Sequence, residues 1–260
     1  MLMASDTADL EECWAYLRPN YIRSEWKEPK KEDVQEWALG RKSRLATISG
    51  PTTTHRMRVY NWLIPLPVLV VQSGRWVDNG VYPSILPKSG VWSQLQALVH
   101  SEAPLIVDEP LQSIVDHEGP YASLLQAILD LRIQLLSDVP TDPGIRRIVH
   151  WMTEPQTQEG LPPLRVQQQL ELFFFLLALA TQNECLRQQV VFILDGAENI
   201  VWLSNKQRAS RLQALKKVAE LADQWAQLGC PVGILVGFSE QPKFKELDVC
   251  KWLQDREING

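Results

Sequence analysis

The chain has 260 residues, of which 45% are hydrophobic and 22% charged, a globular balance with enough length for a core that needs no disulfide or metal staple. A net charge of −5 and a pI near 5.5 argue against a generally basic nucleic-acid-binding protein, though not against a local basic face. Four widely spaced cysteines (Cys13, Cys185, Cys230 and Cys250) form no CxxC pair and fit a reducing, cytoplasmic compartment; the acidic start MLMASDTADLEE has no signal-peptide core, and the greasy run LELFFFLLALA at 170–180 is far short of the ~20 residues that span a bilayer.

Residues 8–40 carry apolar residues at helical spacing, and KKEDVQEWALG opens on acidic residues and stops at Gly40. RLATIS (44–49) is a short strand, and THRMRVYNWLI (54–64) is a helix ended by Pro65 and Pro67. VLVVQ (68–72) is an unbroken apolar run, the pattern of a strand covered on both faces. A loop over 73–90 leads to a helix over 91–101, and APLIVDEP (103–110) holds a candidate short strand. Residues 121–138 form an amphipathic helix with Leu124, Leu125, Ile128, Leu131 and Leu135 along one stripe. A loop at 153–163 precedes a long buried helix over 164–187.

The final third is sharper. VVFIL (190–194) is a buried strand ending at Asp195, and residues 205–229 form a helix closed by Gly229. Leu212, Leu215, Ala219, Ala222 and Trp225 give that helix its core stripe. PVGILVGF (231–238) is another buried strand, and KFKELDVCKWLQ (243–254) is the last helix. Strands alternating with helices predict an α/β fold with a parallel sheet flanked by helices.

The stretch Gly50–Met57, GPTTTHRM, lies between a strand and a helix, where a phosphate loop reads GxxxxGK[ST]. Gly50 fits the pattern, and Thr52, Thr53 and Thr54 fill the spacer. His55 stands for the second glycine, Arg56 for the lysine and Met57 for the hydroxyl residue. A side chain at 55 obstructs the curl of amides around a phosphate. Arg56 keeps the charge but is longer and planar. A thioether is a poor ligand for a hard cation such as magnesium. Asp195 ends its strand as a magnesium-holding aspartate would, with Glu198 close behind, and Ser239 follows the next strand at a sensor-like position. Asp108, at the tip of LIVDEP, competes with Asp195 for the same role.

VQEWALGRKSRLATISGP, FILDGAENI and CPVGILVGFSEQPKF resemble the corresponding segments of AAA+ regulators of DNA transposition, the TnsC/TniB kind. The Asp-Gly-x-acid pattern is also similar to STAND-type ATPases, including inactive scaffolds in bacterial conflict systems. The resemblance covers about 31–75 and 188–254. It implies a P-loop NTPase-like core in two parts (41–101 and 188–260). An N-terminal helical segment (1–40) precedes that core, a mostly helical insertion (102–187) divides it, and no clear C-terminal lid subdomain follows. The residue after Asp195 is Gly196 where those proteins carry the catalytic glutamate. The expectation is therefore a catalytically silent protein, acting as adaptor or regulator in a transposition or prokaryotic defence assembly, with no bound cofactor or metal. The alternative is a divergent ATPase holding ATP and magnesium. Implied partners are an intact AAA+ ATPase, a transposase or nuclease component, or a second copy of the chain, with no membrane. Lys206, Arg208, Arg211, Lys216 and Lys217 are where a transposition relative would grip DNA phosphates, against the plainer reading of a solvated helix face.

Overall fold

The computed structural model describes residues 27–40, 44–73, 76–86, 89–117, most of 121–132, 166–230 and 232–258. The helical reading of 8–26, the later part of the 121–138 helix and the 153–163 loop lie outside them.

Four strands form one parallel sheet in the order β1-β4-β3-β2: β1 (Leu45–Ser49), β2 (Val68–Ser73), β3 (Gln189–Leu194) and β4 (Val232–Phe238). The register sets Ser49 beside Phe238 and Leu194 beside Val236. The ends of β1, β4 and β3 therefore share one sheet edge. This topology is compatible with a P-loop-like fold.

Alternation along each strand sorts side chains into two apolar layers, which is why the strands read as continuous hydrophobic runs. Val190, Phe192 and Leu194 of β3, with Ile234, Val236 and Phe238 of β4, join a large core. That core also takes α3 (Ser89–His100), α4 (Glu109–His117), α5 (Val166–Gln182), α6 (Asn205–Gln227) and α7 (Asp248–Gln254). Leu172–Ala180 of α5 are all buried, and the Phe173 ring packs edge-on to Phe192 at 6.1 Å. Part of the segment expected as an insertion thus covers the sheet directly. No helix among the described residues is long and apolar enough to cross a membrane.

Val191, Ile193 and Leu235 face the other way. They meet α1 (Lys31–Leu39) and α2 (Thr53–Tyr60) through Val34, Trp37, Val59 and Tyr60. On this thinner face β4 carries Gly233 and Gly237. A Cβ at Gly233 would lie 2.9 Å from the Arg44 guanidinium, and one at Gly237 would collide with the Tyr60 hydroxyl and the Asp195 carboxylate. Glycine in a strand interior here marks close approach by a neighbouring side chain.

The last helix expected over 243–254 is two pieces, Pro242–Lys245 and α7. Leu247 is extended (φ −90°, ψ 142°) and breaks the run. The residues after α7 turn back beside β1, where Glu257 bridges Thr47 in parallel. Residues 102–108 form no strand; Asp108 instead caps α4, accepting from the Leu111 amide at 3.0 Å. Of the two competing aspartates, it is Asp195 that ends a strand of the sheet.

Candidate functional site

The chain leaves β1 through Gly50, whose amide donates to the Phe238 carbonyl at 3.0 Å. Only Gly50, Pro51 and Thr52 separate strand from helix. Thr52 is the N-cap of α2, and its hydroxyl accepts from the His55 amide at 3.4 Å. The amides of His55 and Arg56 both reach the Thr52 carbonyl, at 3.1 and 3.3 Å. A phosphate loop needs free amides that converge on an anion. Here α2 starts early enough that His55, Arg56 and Met57 lie within it and their amides serve the helix.

Arg56 therefore projects from the second half of a helical turn, back over Gly50 and into the space between the strand ends. Its side chain is wholly buried. A Cβ at Gly50 would stand 2.8 Å from Arg56 Cγ, so only glycine leaves room for that path. Every nitrogen of the guanidinium has a partner. Nε donates to Asp195 Oδ1 at 2.6 Å, and Nη1 donates to the Gly50 carbonyl at 3.2 Å. Nη2 donates to Asp195 Oδ2 at 3.2 Å, Glu198 Oε1 at 3.2 Å and Thr53 Oγ1 at 3.3 Å. The two-pronged contact with Asp195 is the geometry that a planar guanidinium makes and an ammonium cannot.

The carboxylates are equally committed. Asp195 Oδ1 also accepts from the Tyr60 hydroxyl at 2.7 Å. Glu198 lies in the 3-10 turn Ala197–Trp202, and its Oε2 accepts from the Ser239 amide at 3.1 Å. One cluster thus ties the ends of β1, β3 and β4 together. Burial pulls the Arg56 pKa down, but the hydrogen bond and charge of Asp195, with Glu198 behind it, outweigh this and hold it above its ordinary value. Tyr60 is pushed well above the usual phenol range by burial first and by the Asp195 charge second, with Arg56 opposing. One cation faces two carboxylates, so the pocket repels a further anion.

Gly50, Thr53, Arg56, Asp195, Glu198 and Ser239 therefore meet. Thr54 is exposed, the Thr52 hydroxyl lies 2.7 Å from His55 Nδ1, and Met57 accepts from Gln72 at 3.6 Å over β2. Sequence reasoning missed Tyr60, Gly237 and Glu257. Tyr60 is one helical turn beyond Arg56, and Gly237 is a strand glycine, so both left a signal. Glu257, which accepts from the Ser49 hydroxyl and amide, left none.

The five cations expected as DNA contacts do not share a face. At ~100° per residue, Arg208 and Arg211 are turned far from Lys206. Arg211 donates to the carbonyls of Val77 and Asp78, both at 2.9 Å. Arg208 donates to the Leu203 carbonyl at 3.0 Å, and Lys217 pairs with Glu220 at 3.4 Å. Lys216 lies 6.0 Å from the Trp252 ring, and Lys206 is exposed. No group of three or more acidic, His or Cys side chains among the described residues forms a metal-binding cluster. No protein-family model, no curated protein and no solved structure matches the chain.

Proposed function

We propose that this is a catalytically silent P-loop-like protein that works as an adaptor or regulator within a larger assembly. The transposition or defence setting rests on the resemblance of its phosphate-loop, Asp195 and Ser239 segments to AAA+ and STAND proteins. The observation that carries the silent reading is Arg56. It occupies the space that a phosphate and its magnesium would need, and it takes up both carboxylates that could ligate or activate anything there.

Hydrolysis requires neutralisation of charge on a transferring phosphoryl group and a base for water. Asp195 and Glu198 are bound to an internal cation, and the amides of His55 and Arg56 are bound within the helix. Admitting a nucleotide would require Arg56 to leave Asp195 and Glu198 without their cation, a cost of about 3–5 kcal/mol before any contact forms. Titrating the protein with a fluorescent ATP analogue, with and without magnesium, tests this. The expected result is no saturable binding and no release of phosphate from ATP. Magnesium-dependent binding with turnover would overturn it in favour of a working ATPase.

A further inference from the structure

The thinner face of the sheet is covered unevenly. Val191, Ile193 and Leu235, at its middle, are buried beneath α1 and α2. On the edge strand β2 the same face leaves Val70 half-buried and Gln72 exposed. Met57 of α2 reaches over this strand, where the Gln72 amide donates to its sulfur at 3.6 Å. Trp62, in the 3-10 turn Asn61–Leu63, and Leu66, just before β2, pack half-buried against the same layer. Between them Ile64 is 70% exposed. Met57, Trp62, Leu66 and Val70 thus form an apolar strip along β2, a strand that rises roughly 20 Å over its six residues at ~3.3 Å each. The described residues leave all four side chains partly exposed.

The chain carries a stripe of matching form and length. Leu10, Cys13, Trp14 and Leu17 recur at i, i+3, i+4 and i+7, the spacing of one helical face. Asp9, Glu11 and Glu12 open that run and Pro19 closes it, so a helix over 8–18 measures roughly 16 Å at ~1.5 Å per residue. These residues precede Lys27, the first described residue. Where the described chain begins decides what they reach. Glu28 pairs at 3.6 Å with Arg58 of α2, the neighbour of Met57, and the Gln35 side chain of α1 donates to the Trp62 carbonyl at 3.0 Å. The chain thus enters the structure beside the strip. Residues 18–26 span up to ~30 Å when extended, more than the length of β2.

We infer that residues 8–18 lie as a helix on the β2 edge of the thinner face, with Leu10, Cys13, Trp14 and Leu17 seated on Met57, Trp62, Leu66 and Val70. Anchors at this spacing are how an amphipathic helix fills an apolar groove. A helix this short draws its stability from packing that face rather than from its own hydrogen bonds. The nine-residue tether holds it at an effective concentration of about millimolar, which favours the chain's own segment over a second copy. The strip lies on β2, whereas the Arg56 cluster joins the ends of β1, β3 and β4. The inference therefore stands apart from the silent-pocket reading.

Cys13 lies within the stripe and supplies a native probe. Three variants of the full chain, Met57→Cys, Leu66→Cys and Val70→Cys, each place a second thiol on the strip. Lys206→Cys places one on α6, in the other layer. After oxidation with copper phenanthroline, peptide mapping should find Cys13 joined within the same chain to at least one strip position and not to position 206. The yield should hold on about tenfold dilution, because the tether fixes the local concentration. In a second measurement on the full chain, Trp14→Asp should speed amide exchange about tenfold over 66–72 while leaving 232–238, in the middle of the sheet, unchanged. A link to none of the three positions, one as frequent at 206, or one formed only between copies would overturn the inference, the last by making a second copy the occupant. Exchange unchanged at 66–72, or raised equally at 232–238, would overturn it too.

Discussion

Arg56 decides the chemistry of the sheet edge. In sequence it stands where a phosphate-binding lysine would, keeping the charge on a longer, planar group; in the structure that planar fork reaches two carboxylates. Arg56→Ala leaves Asp195 and Glu198 facing each other without a cation, and should cost about 3–5 kcal/mol of stability, read as a lower urea midpoint. Asp195→Asn should cost less, because the guanidinium keeps Glu198. Tyr60 gives the site a pH signature. Its folded pKa lies above the unfolded value of ~10, so its contribution is intact below pH 10. As the pH rises beyond that, the unfolded phenol ionises first, and stability falls by up to ~1.4 kcal/mol per pH unit. Tyr60→Phe should flatten this part of the denaturation profile between pH 9.5 and about 11; an unchanged slope would contradict the assignment. Gly237→Ala should destabilise by at least ~1–3 kcal/mol through overpacking, and the penalty should shrink in a Tyr60→Phe background, since the displaced hydroxyl is gone.

β3 and β4 were readable because both of their faces are covered, which leaves unbroken apolar runs such as VVFIL and VGILVGF, whereas among the described side chains of the edge strand β2 only Val68 is buried. α6 was readable for a different reason. It opens on a capping box, in which the Ser204 hydroxyl accepts from the Gln207 amide and the Gln207 side chain accepts from the Ser204 amide, and it buries Leu215, Val218, Ala222 and Trp225 on one side. Ser204→Ala should cost about 1 kcal/mol, measurable by thermal unfolding. What the sequence hid was where α2 begins. An eight-residue match to a phosphate-loop spacing says nothing about which amides are already spent. Thr52 capping the helix at its first turn turned most of that stretch into helix. LIVDEP misled in a similar way: its apolar residues look like a strand, but they lead into α4 and Asp108 serves as that helix's cap. The alternation that makes Arg44 a second buried cation was equally silent. Its guanidinium donates to the carbonyls of Val232 and Gly40 and lies 5.8 Å from the Trp37 ring, and the Val232 contact joins parts of the chain that no local pattern links.

Two layers of helices clamp a single parallel sheet, and the buried Arg44 and Arg56 fasten its thinner layer at opposite edges. Arg44 holds the start of β4 to α1, and Arg56 holds the ends of β1 and β3 to α2. In most sheets of this kind the strand-end crevice is left open for a ligand. Here it is closed by the protein's own side chains, and what remains outward-facing at that edge is Trp202 with Lys243. The most direct check is the Arg56 Nε–H resonance in solution. With the guanidinium buried against Asp195, that proton should exchange slowly with water, and its shift should stay fixed when millimolar magnesium-ATP is added. A rapidly exchanging proton, or a resonance that moves or vanishes as nucleotide is titrated, would contradict a pocket filled from within.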